Sequence, residues 1–112
     1  MARVGVAQFG ALTTVTPTTA LTHETAREFA TAAIEAIGAS SGRLGIDLSR
    51  VAYVDSEGLE ALLDASDALG DMGHPARLIA ANDVVRETLR ITDLDSCFQH
   101  FGTTSDAARS LS

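Results

Sequence analysis

Lysine is absent from this sequence of 112 residues, and all eight of its basic residues are arginines. Fifteen aspartates and glutamates outnumber them, so the net charge is −7. The chain therefore offers no basic patch that could displace counterions from a phosphate backbone. We expect no direct nucleic acid binding.

Cysteine and histidine are also scarce. Cys97 is the single cysteine, which excludes an internal disulfide and a cysteine-based zinc site. Phenylalanines follow it closely, so we expect a buried, inert thiol. The three histidines, His23, His74 and His100, are scattered along the chain and argue against a histidine metal site. No metal or other cofactor is expected.

Long apolar runs are missing as well. No stretch approaches the ~20 residues that a transmembrane helix needs, and the first five residues do not resemble a signal peptide. Hydrophobic residues make up 46% of the chain and charged residues 21%, which is typical of an ordered globular protein. We expect a soluble cytoplasmic protein in which residues 1–112 form one domain.

The hydrophobic periodicity predicts strands that alternate with helices. Two short strands flank Gly10 as a hairpin. Residues 22–37 carry apolar side chains at helical spacing, with Thr22 as the N-cap and Gly38 as the stop. Further strands are predicted at 43–48, 76–80 and 97–101, and further helices at 59–69, 84–91 and 105–111. This order predicts an α/β fold with a mixed, mostly parallel β-sheet, an N-terminal antiparallel hairpin and about four helices.

The stretch Asp55-Ser56-Glu57-Gly58 lies between a predicted strand and a long helix. A helix N-terminus carries roughly half a positive charge and favours anions, including a phosphate. One interpretation is structural, with Ser56 or Asp55 capping the helix and Glu57 complementing its dipole. The other is functional, with Ser56 presented at the surface as a phosphate acceptor.

The helix that follows carries an acidic stripe. Between positions 55 and 71 the chain has six carboxylates and no basic residue. Like charges at these spacings cost roughly 0.2–0.5 kcal/mol per pair, so helix stability alone does not explain them. The stripe is either a solvated face or a contact surface for a basic partner. Its members are Glu57, Glu60, Asp64, Asp67 and Asp71, and the predicted inward face is Leu59, Leu62, Leu63, Ser66 and Leu69.

The segment Gly45–Leu59 resembles the signature of the STAS domain, the anti-sigma factor antagonist family. In that family an apolar strand ending in Asp-Leu leads to Asp-Ser-Ser-Gly-Leu or Asp-Ser-Thr-Gly-Leu at a helix start. The segments 77–80, 84–89 and 92–94 resemble the family too, so the similarity covers most of the chain. No enzyme motif is recognisable, and the resemblance implies a regulatory binding protein on a small α/β fold.

The resemblance also implies a phosphorylation switch. In the family, the unphosphorylated antagonist binds an anti-sigma factor that is a serine kinase, and so frees a sigma factor. Phosphorylation of the serine after the Asp breaks that complex, and a metal-dependent serine phosphatase resets it. The matching acceptor is Ser56, and the expected partner-binding residues are Asp55, Glu57, Gly58, Glu60, Asp64, Thr22 and His23.

Two positions depart from the family pattern. Glu57 stands where members usually have a second Ser or Thr, and Thr22 stands where many have an Asp ahead of the first helix. STAS domains also serve as stressosome scaffolds and as small subunits of lipid-transport ABC systems. A constitutive subunit of such an assembly, in which Ser56 only caps the helix, is therefore the alternative function.

Overall fold

The computed structural model describes residues 3–111 and contains one five-stranded sheet in the order β1-β2-β3-β4-β5. β1 is antiparallel to β2, and every other neighbouring pair is parallel. The predicted α/β fold, with its hairpin and about four helices, is confirmed. The elements are β1 Val4–Phe9, β2 Leu12–Pro17, α1 Ala26–Ser40, β3 Leu44–Asp47, α2 Ser56–Asp71, β4 Ala76–Ile79, α3 Asp83–Ile91, a 3₁₀ turn Asp95–Cys97, β5 Phe98–Phe101 and α4 Thr104–Arg109.

The two faces of the sheet carry separate cores. On one face α1, α2 and α3 cover the strands, and Phe29, Leu62 and Leu78 are among the fully buried side chains there. On the other face α4 places Ala107 against Leu12 and Ile79. Because the strands after β1 run parallel, the loops after β3 and β4 lie together at the C-terminal ends of the strands. The Asp55–Gly58 stretch lies in the first of these loops and at the start of α2.

The start of α1 differs from the prediction. Thr22 is not the N-cap, because the helix begins at Ala26 and Thr25 precedes it. The backbone carbonyl of Thr22 accepts from the amide of Ala26 at 2.7 Å, so a separate turn leads into the helix. Gly38 does not stop α1 either. The helix continues to Ser40, and Ser41 ends it in the left-handed conformation with φ 56°.

The inward face of α2 also differs from the predicted one. Its buried residues are mostly small, whereas Leu59 and Leu63 are only partly buried. Small side chains let α1 and α2 approach closely, and the leucine pattern alone does not reveal such a contact. The buried residues of α2 are Gly58, Ala61, Leu62, Ala65 and Leu69.

The prediction of a buried Cys97 is wrong, because its side chain is exposed. Cys97 is the last residue of the 3₁₀ turn, and the following Phe98 opens β5 and is buried in its place. Within residues 3–111, none of the helices is long and apolar enough to cross a membrane.

Candidate functional site

Asp55 is the residue that caps α2. Its backbone is extended, and its Oδ1 accepts from the amide of Gly58 at 2.9 Å. This is the usual bond from an N-cap side chain to the third helical residue. Of the two candidates from the sequence, Asp55 is thus the cap and Ser56 is not.

Ser56 is the first residue of α2 and is exposed. Its hydroxyl makes no hydrogen bond to any other residue in the range 3–111. Since the Asp55 side chain already makes the capping hydrogen bond of α2, the Ser56 hydroxyl is not needed as a cap. Among the described residues the Ser56 hydroxyl is therefore exposed and without a hydrogen-bond partner.

A second segment, Leu21–His23, is bound to the helix start. The amide of His23 donates to Asp55 Oδ2 at 3.0 Å, and the amide of Asp55 donates to the carbonyl of Leu21 at 3.0 Å. Leu21 and Val54 also form an isolated parallel bridge. One carboxylate therefore holds both the start of α2 and the loop before α1.

Gly58 makes this close approach possible. A Cβ at this position would lie 2.2 Å from the carbonyl oxygen of Leu21, far inside contact distance. Gly58 is buried beneath the site and does not face solvent. Its part in the site is to let the two segments touch.

These bonds perturb the titration of Asp55. The amide of Gly58, followed by the amides of His23 and Glu57, lowers the pKa of Asp55 below its ordinary value of 3.8, although burial acts in the opposite direction. His23 Nδ1 also lies 3.8 Å from Asp55 Oδ2. The carboxylate is therefore charged throughout the physiological range.

An open depression of about 400 Å³, the α1–α2 groove, is lined by Glu57, the residue that follows Ser56, and Ser56 itself is not part of the lining. It brings together four of the residues expected from the sequence, namely His23, Glu57, Glu60 and Asp64. Asp67 and Asp71 are exposed further along α2, outside the groove. Thr22, Asp55 and Gly58 do not line it: Asp55 and Gly58 form the supporting contact with Leu21 and His23, and the hydrogen bonds of Thr22 stay within the turn before α1. The complete lining is His23, Ala26, Arg27, Ala30, Glu57, Glu60, Ala61 and Asp64.

Arg27 is the groove residue that the sequence reasoning missed. It is exposed, and no carboxylate among residues 3–111 lies within ion-pair distance of it. The signal for it was available, because Ala26 and Ala30 mark the α1 face that turns toward α2 and Arg27 adjoins them. Among the described residues, no group of three His, Cys, Asp or Glu side chains is arranged to hold a metal ion.

The capping geometry predicts a large effect of substitution at Asp55 and almost none at the neighbouring Ser56. We expect Asp55→Ala to lower the melting temperature by several degrees, because it removes both the cap and the bond to His23. We expect Ser56→Ala to change the free energy of unfolding by less than ~0.5 kcal/mol. Thermal unfolding followed by circular dichroism measures both. Equal losses from the two variants would contradict the assignment of Asp55 as the cap.

The Asp55→Ala and Ser56→Ala variants should also differ in how their stability depends on pH. Because the pKa of Asp55 is lowered in the folded state, its charge stabilises the fold above about 3.8. That stabilisation is lost as the pH falls through the lower folded-state pKa. The difference in stability between wild type and Asp55→Ala should therefore shrink in strong acid, whereas Ser56→Ala should follow wild type.

The chain was compared with known protein families and solved structures. The family model described as "Mlab, STAS domain" matches residues 4–100. No curated protein sequence matches the chain. Similar solved structures include an anti-sigma factor antagonist from Mycobacterium paratuberculosis, with 28% identity, 96% of this chain and 91% of that chain covered, and a TM-score of 0.81.

Two further structures share the fold at lower identity. An anti-sigma-factor antagonist (STAS) domain protein from Planctomyces limnophilus has 18% identity, covers 96% of this chain and 97% of its own, and gives a TM-score of 0.86. The Bacillus cell fate determinant SpoIIAA in its phosphorylated form has 14% identity, with 97% and 99% covered and a TM-score of 0.71.

Proposed function

This chain belongs to the STAS domain family, and we propose that it is an anti-sigma factor antagonist whose binding is switched by phosphorylation of Ser56. It acts as a binding protein and not as an enzyme. Its partner is an anti-sigma factor with serine kinase activity, which it sequesters while Ser56 is unphosphorylated. A metal-dependent serine phosphatase resets the switch.

The observation that carries this proposal is the free hydroxyl of Ser56. It is exposed at the start of a rigid helix, and the neighbouring Asp55 performs the capping. A kinase can therefore reach Ser56 without disturbing the fold. The similarity to antagonists, one of them solved in a phosphorylated form, supports the same role.

The electrostatics support an effect on binding and not on folding. A phosphoryl group would add about −1.5 to −2 charges beside Asp55 and Glu57. The positive end of α2 partly offsets this charge within the protein. The added charge therefore lies next to Glu57, which lines the α1–α2 groove, where the partner docks in this proposal.

The proposal is tested by capture and phosphate transfer. A tagged Ser56→Ala protein, which cannot be switched off, should retain a serine kinase from its own cells. The purified kinase with ATP should then phosphorylate the wild type on Ser56, as read by mass spectrometry of peptides. Absence of phosphate from wild type under these conditions would overturn the switch.

Glu57 favours a second candidate, a constitutive STAS subunit of a stressosome-like or ABC lipid-transport assembly. A fixed carboxylate already stands beside Ser56 and lines the same groove. A binding surface that already accommodates the charge of Glu57 should lose little affinity when Ser56 gains a second negative charge. In this case the captured partner would be an assembly or transporter subunit, and Ser56→Asp would retain it as well as wild type does.

Glu57 gives a kinetic prediction for the switch. Two unit charges about 5 Å apart at an effective dielectric near 20 repel by about 3 kcal/mol before screening, and exposure and salt reduce this several-fold. We therefore expect Glu57→Ser to be phosphorylated faster on Ser56 by the cognate kinase, and its unphosphorylated form to bind that kinase more tightly. Timed phosphopeptide analysis measures the rate. No acceleration would mean that Glu57 is a recognition residue for the kinase.

The acidic stripe gives a prediction with an internal control. If the α1–α2 groove receives a basic surface, Glu60→Lys/Asp64→Lys should slow association and weaken its dependence on salt. The control, Asp67→Lys/Asp71→Lys, makes the same change of charge outside the groove. Surface plasmon resonance at low salt should show a larger decrease in association rate for the groove variant than for the control. Equal effects would show only a response to net charge.

A further inference from the structure

β1 is an edge strand without the usual protection against pairing. It forms one end of the sheet, and no other strand within residues 3–111 pairs with its outer side. Its six residues contain no charge and no proline, and all but Val4 are exposed. Edge strands are normally blunted by charged residues, proline or bulges. The other edge, β5, is shorter by two residues and carries His100, which is bonded to Asp95 at 2.8 Å.

The register with β2 shows which backbone groups of β1 are free. The amide of Thr18 donates to the carbonyl of Arg3 at 2.9 Å, and Val4 faces Pro17, which has no amide hydrogen. Hydrogen-bonded pairs alternate along an antiparallel ladder. The N–H and C=O groups of Val4, Val6 and Gln8 therefore point away from β2, and these groups form what we term the β1 edge.

A groove of about 240 Å³ lies beside the β1 edge, between Val6 and one face of α1. Its lining is apolar except for Glu35, and we name it the alanine groove. Val6 is 57% exposed there. The other lining residues are Ala32, Ala36 and Ala39.

We propose that two copies of this chain associate through the β1 edge, as antiparallel strands related by a two-fold axis at Val6. With Val6 opposite Val6 of the second copy, Val4 lies opposite Gln8 in both directions. All the outward groups of both strands are then paired, and each sheet face continues across the axis. The second Val6 side chain stands beside the first and covers the alanine groove.

The charge distribution allows a second copy to pair with this edge. α1 contacts both β1 and α2, and it separates the β1 edge from the acidic stripe. Two chains of net charge −7 can thus join at an uncharged strand while six carboxylates of each stay apart. The α1–α2 groove uses a different part of α1 and remains open in both copies. Self-association is therefore independent of the proposed switch.

The mass in solution tests the association. Sedimentation equilibrium over a wide concentration range should show wild type approaching twice the 11.6 kDa mass of the monomer. Val6→Lys should stay monomeric, because a charge blunts the edge. Val84→Lys is the matched control, since Val84 is 56% exposed on α3, away from the strand, and it should associate like wild type. A monomeric wild type, or equal loss in both variants, would overturn the proposal.

Crosslinking tests the register itself, in a Cys97→Ser background because Cys97 is exposed. Directly opposed residues of a hydrogen-bonded pair lie about 5.5 Å apart at Cα, within the range for a disulfide. Val6→Cys should therefore crosslink rapidly on mild oxidation. In the same register the two copies of Gln8→Cys lie about 13 Å apart along the strands and should crosslink slowly. Equal rates would contradict the two-fold at Val6.

Self-association and partner binding also differ in their response to salt. Salt should weaken docking of a basic partner in the acidic α1–α2 groove. It should leave the strand pairing unchanged or strengthen it, because β1 itself is uncharged, Glu35 is the charged residue of the alanine groove, and the adjacent Arg3 is already paired with Glu28. Loss of the dimer with increasing salt would overturn the proposal, whatever the outcome for Ser56.

Discussion

Replacing Gly58 by alanine is expected to destabilise the protein, whereas the same change at Gly70 in the same helix is expected to stabilise it. A Cβ on Gly58 would lie 2.2 Å from the carbonyl oxygen of Leu21 and 2.9 Å from its carbonyl carbon. Nothing lies within 4 Å of a Cβ built on Gly70. The two variants therefore differ in packing while sharing the gain in helix propensity.

The obstruction at Gly58 cannot be relieved cheaply. The two nearest atoms are the backbone carbonyl oxygen and carbon of Leu21, and this carbonyl also accepts from the amide of Asp55 at 3.0 Å. Overpacking of this kind costs typically about 1–3 kcal/mol and occasionally more. Alanine instead of glycine at a free helical position gains up to about 1 kcal/mol, which is the expected result for Gly70→Ala.

Urea denaturation of the two variants measures this difference as midpoints at unchanged slope. A Gly58→Ala protein as stable as Gly70→Ala would mean that the loop before α1 moves away without cost. The role given to Gly58 in joining Leu21–His23 to the start of α2 would then be wrong.

The secondary structure was largely readable from the sequence because local rules act on it directly. Gly10, with φ 59°, sits in the turn that joins β1 and β2. Asn82, a residue type that favours the N-cap, directly precedes α3, and its side chain accepts from the amide of Val85 at 2.8 Å. The short apolar runs became parallel strands because helices cover both faces of the sheet.

The errors arose where tertiary contacts override local preference. Thr22 has the side chain of an N-cap, yet its backbone carbonyl is the group that leads into α1. The buried face of α2 follows Ala61 and Ala65, because proximity to α1 rewards small residues there. Cys97 was expected to share the burial of the aromatic residue beside it, but the 3₁₀ turn directs it outward.

The site was predictable in its parts and not in its assembly. Asp55, Ser56 and Glu57 form a contiguous motif, so their position at a helix start followed from the sequence. The contact between His23 and Asp55 spans 32 positions and depends on the bridge between Leu21 and Val54. No local pattern encodes that contact, and the resemblance to a family implied only that both residues belong to one partner-binding surface.

Replacing Ser56 by aspartate should abolish most of the affinity for the cognate anti-sigma kinase, whereas asparagine should preserve it. The two side chains have nearly the same shape, and both suit a helix start. They differ in one negative charge. Neither touches the Asp55 cap, so we expect both variants to unfold within ~0.5 kcal/mol of wild type.

The expected magnitude follows from the cost of an unpaired charge at an interface. Leaving a charge buried and unpaired costs about 2–5 kcal/mol. At about 1.4 kcal/mol for each factor of ten, the lower limit is a loss of about 30-fold in affinity. Enzymatically phosphorylated Ser56 carries up to about twice the charge and should bind more weakly still.

Isothermal titration calorimetry with the purified kinase should therefore rank the four forms by the charge at position 56. Wild type and Ser56→Asn should bind alike, Ser56→Asp more weakly and the phosphoprotein most weakly. If Ser56→Asn loses as much affinity as Ser56→Asp, the partner responds to the shape of the side chain and not to its charge. If neither loses affinity, charge beside Glu57 does not control docking, and a constitutive subunit with an unswitched groove becomes the better account of this site.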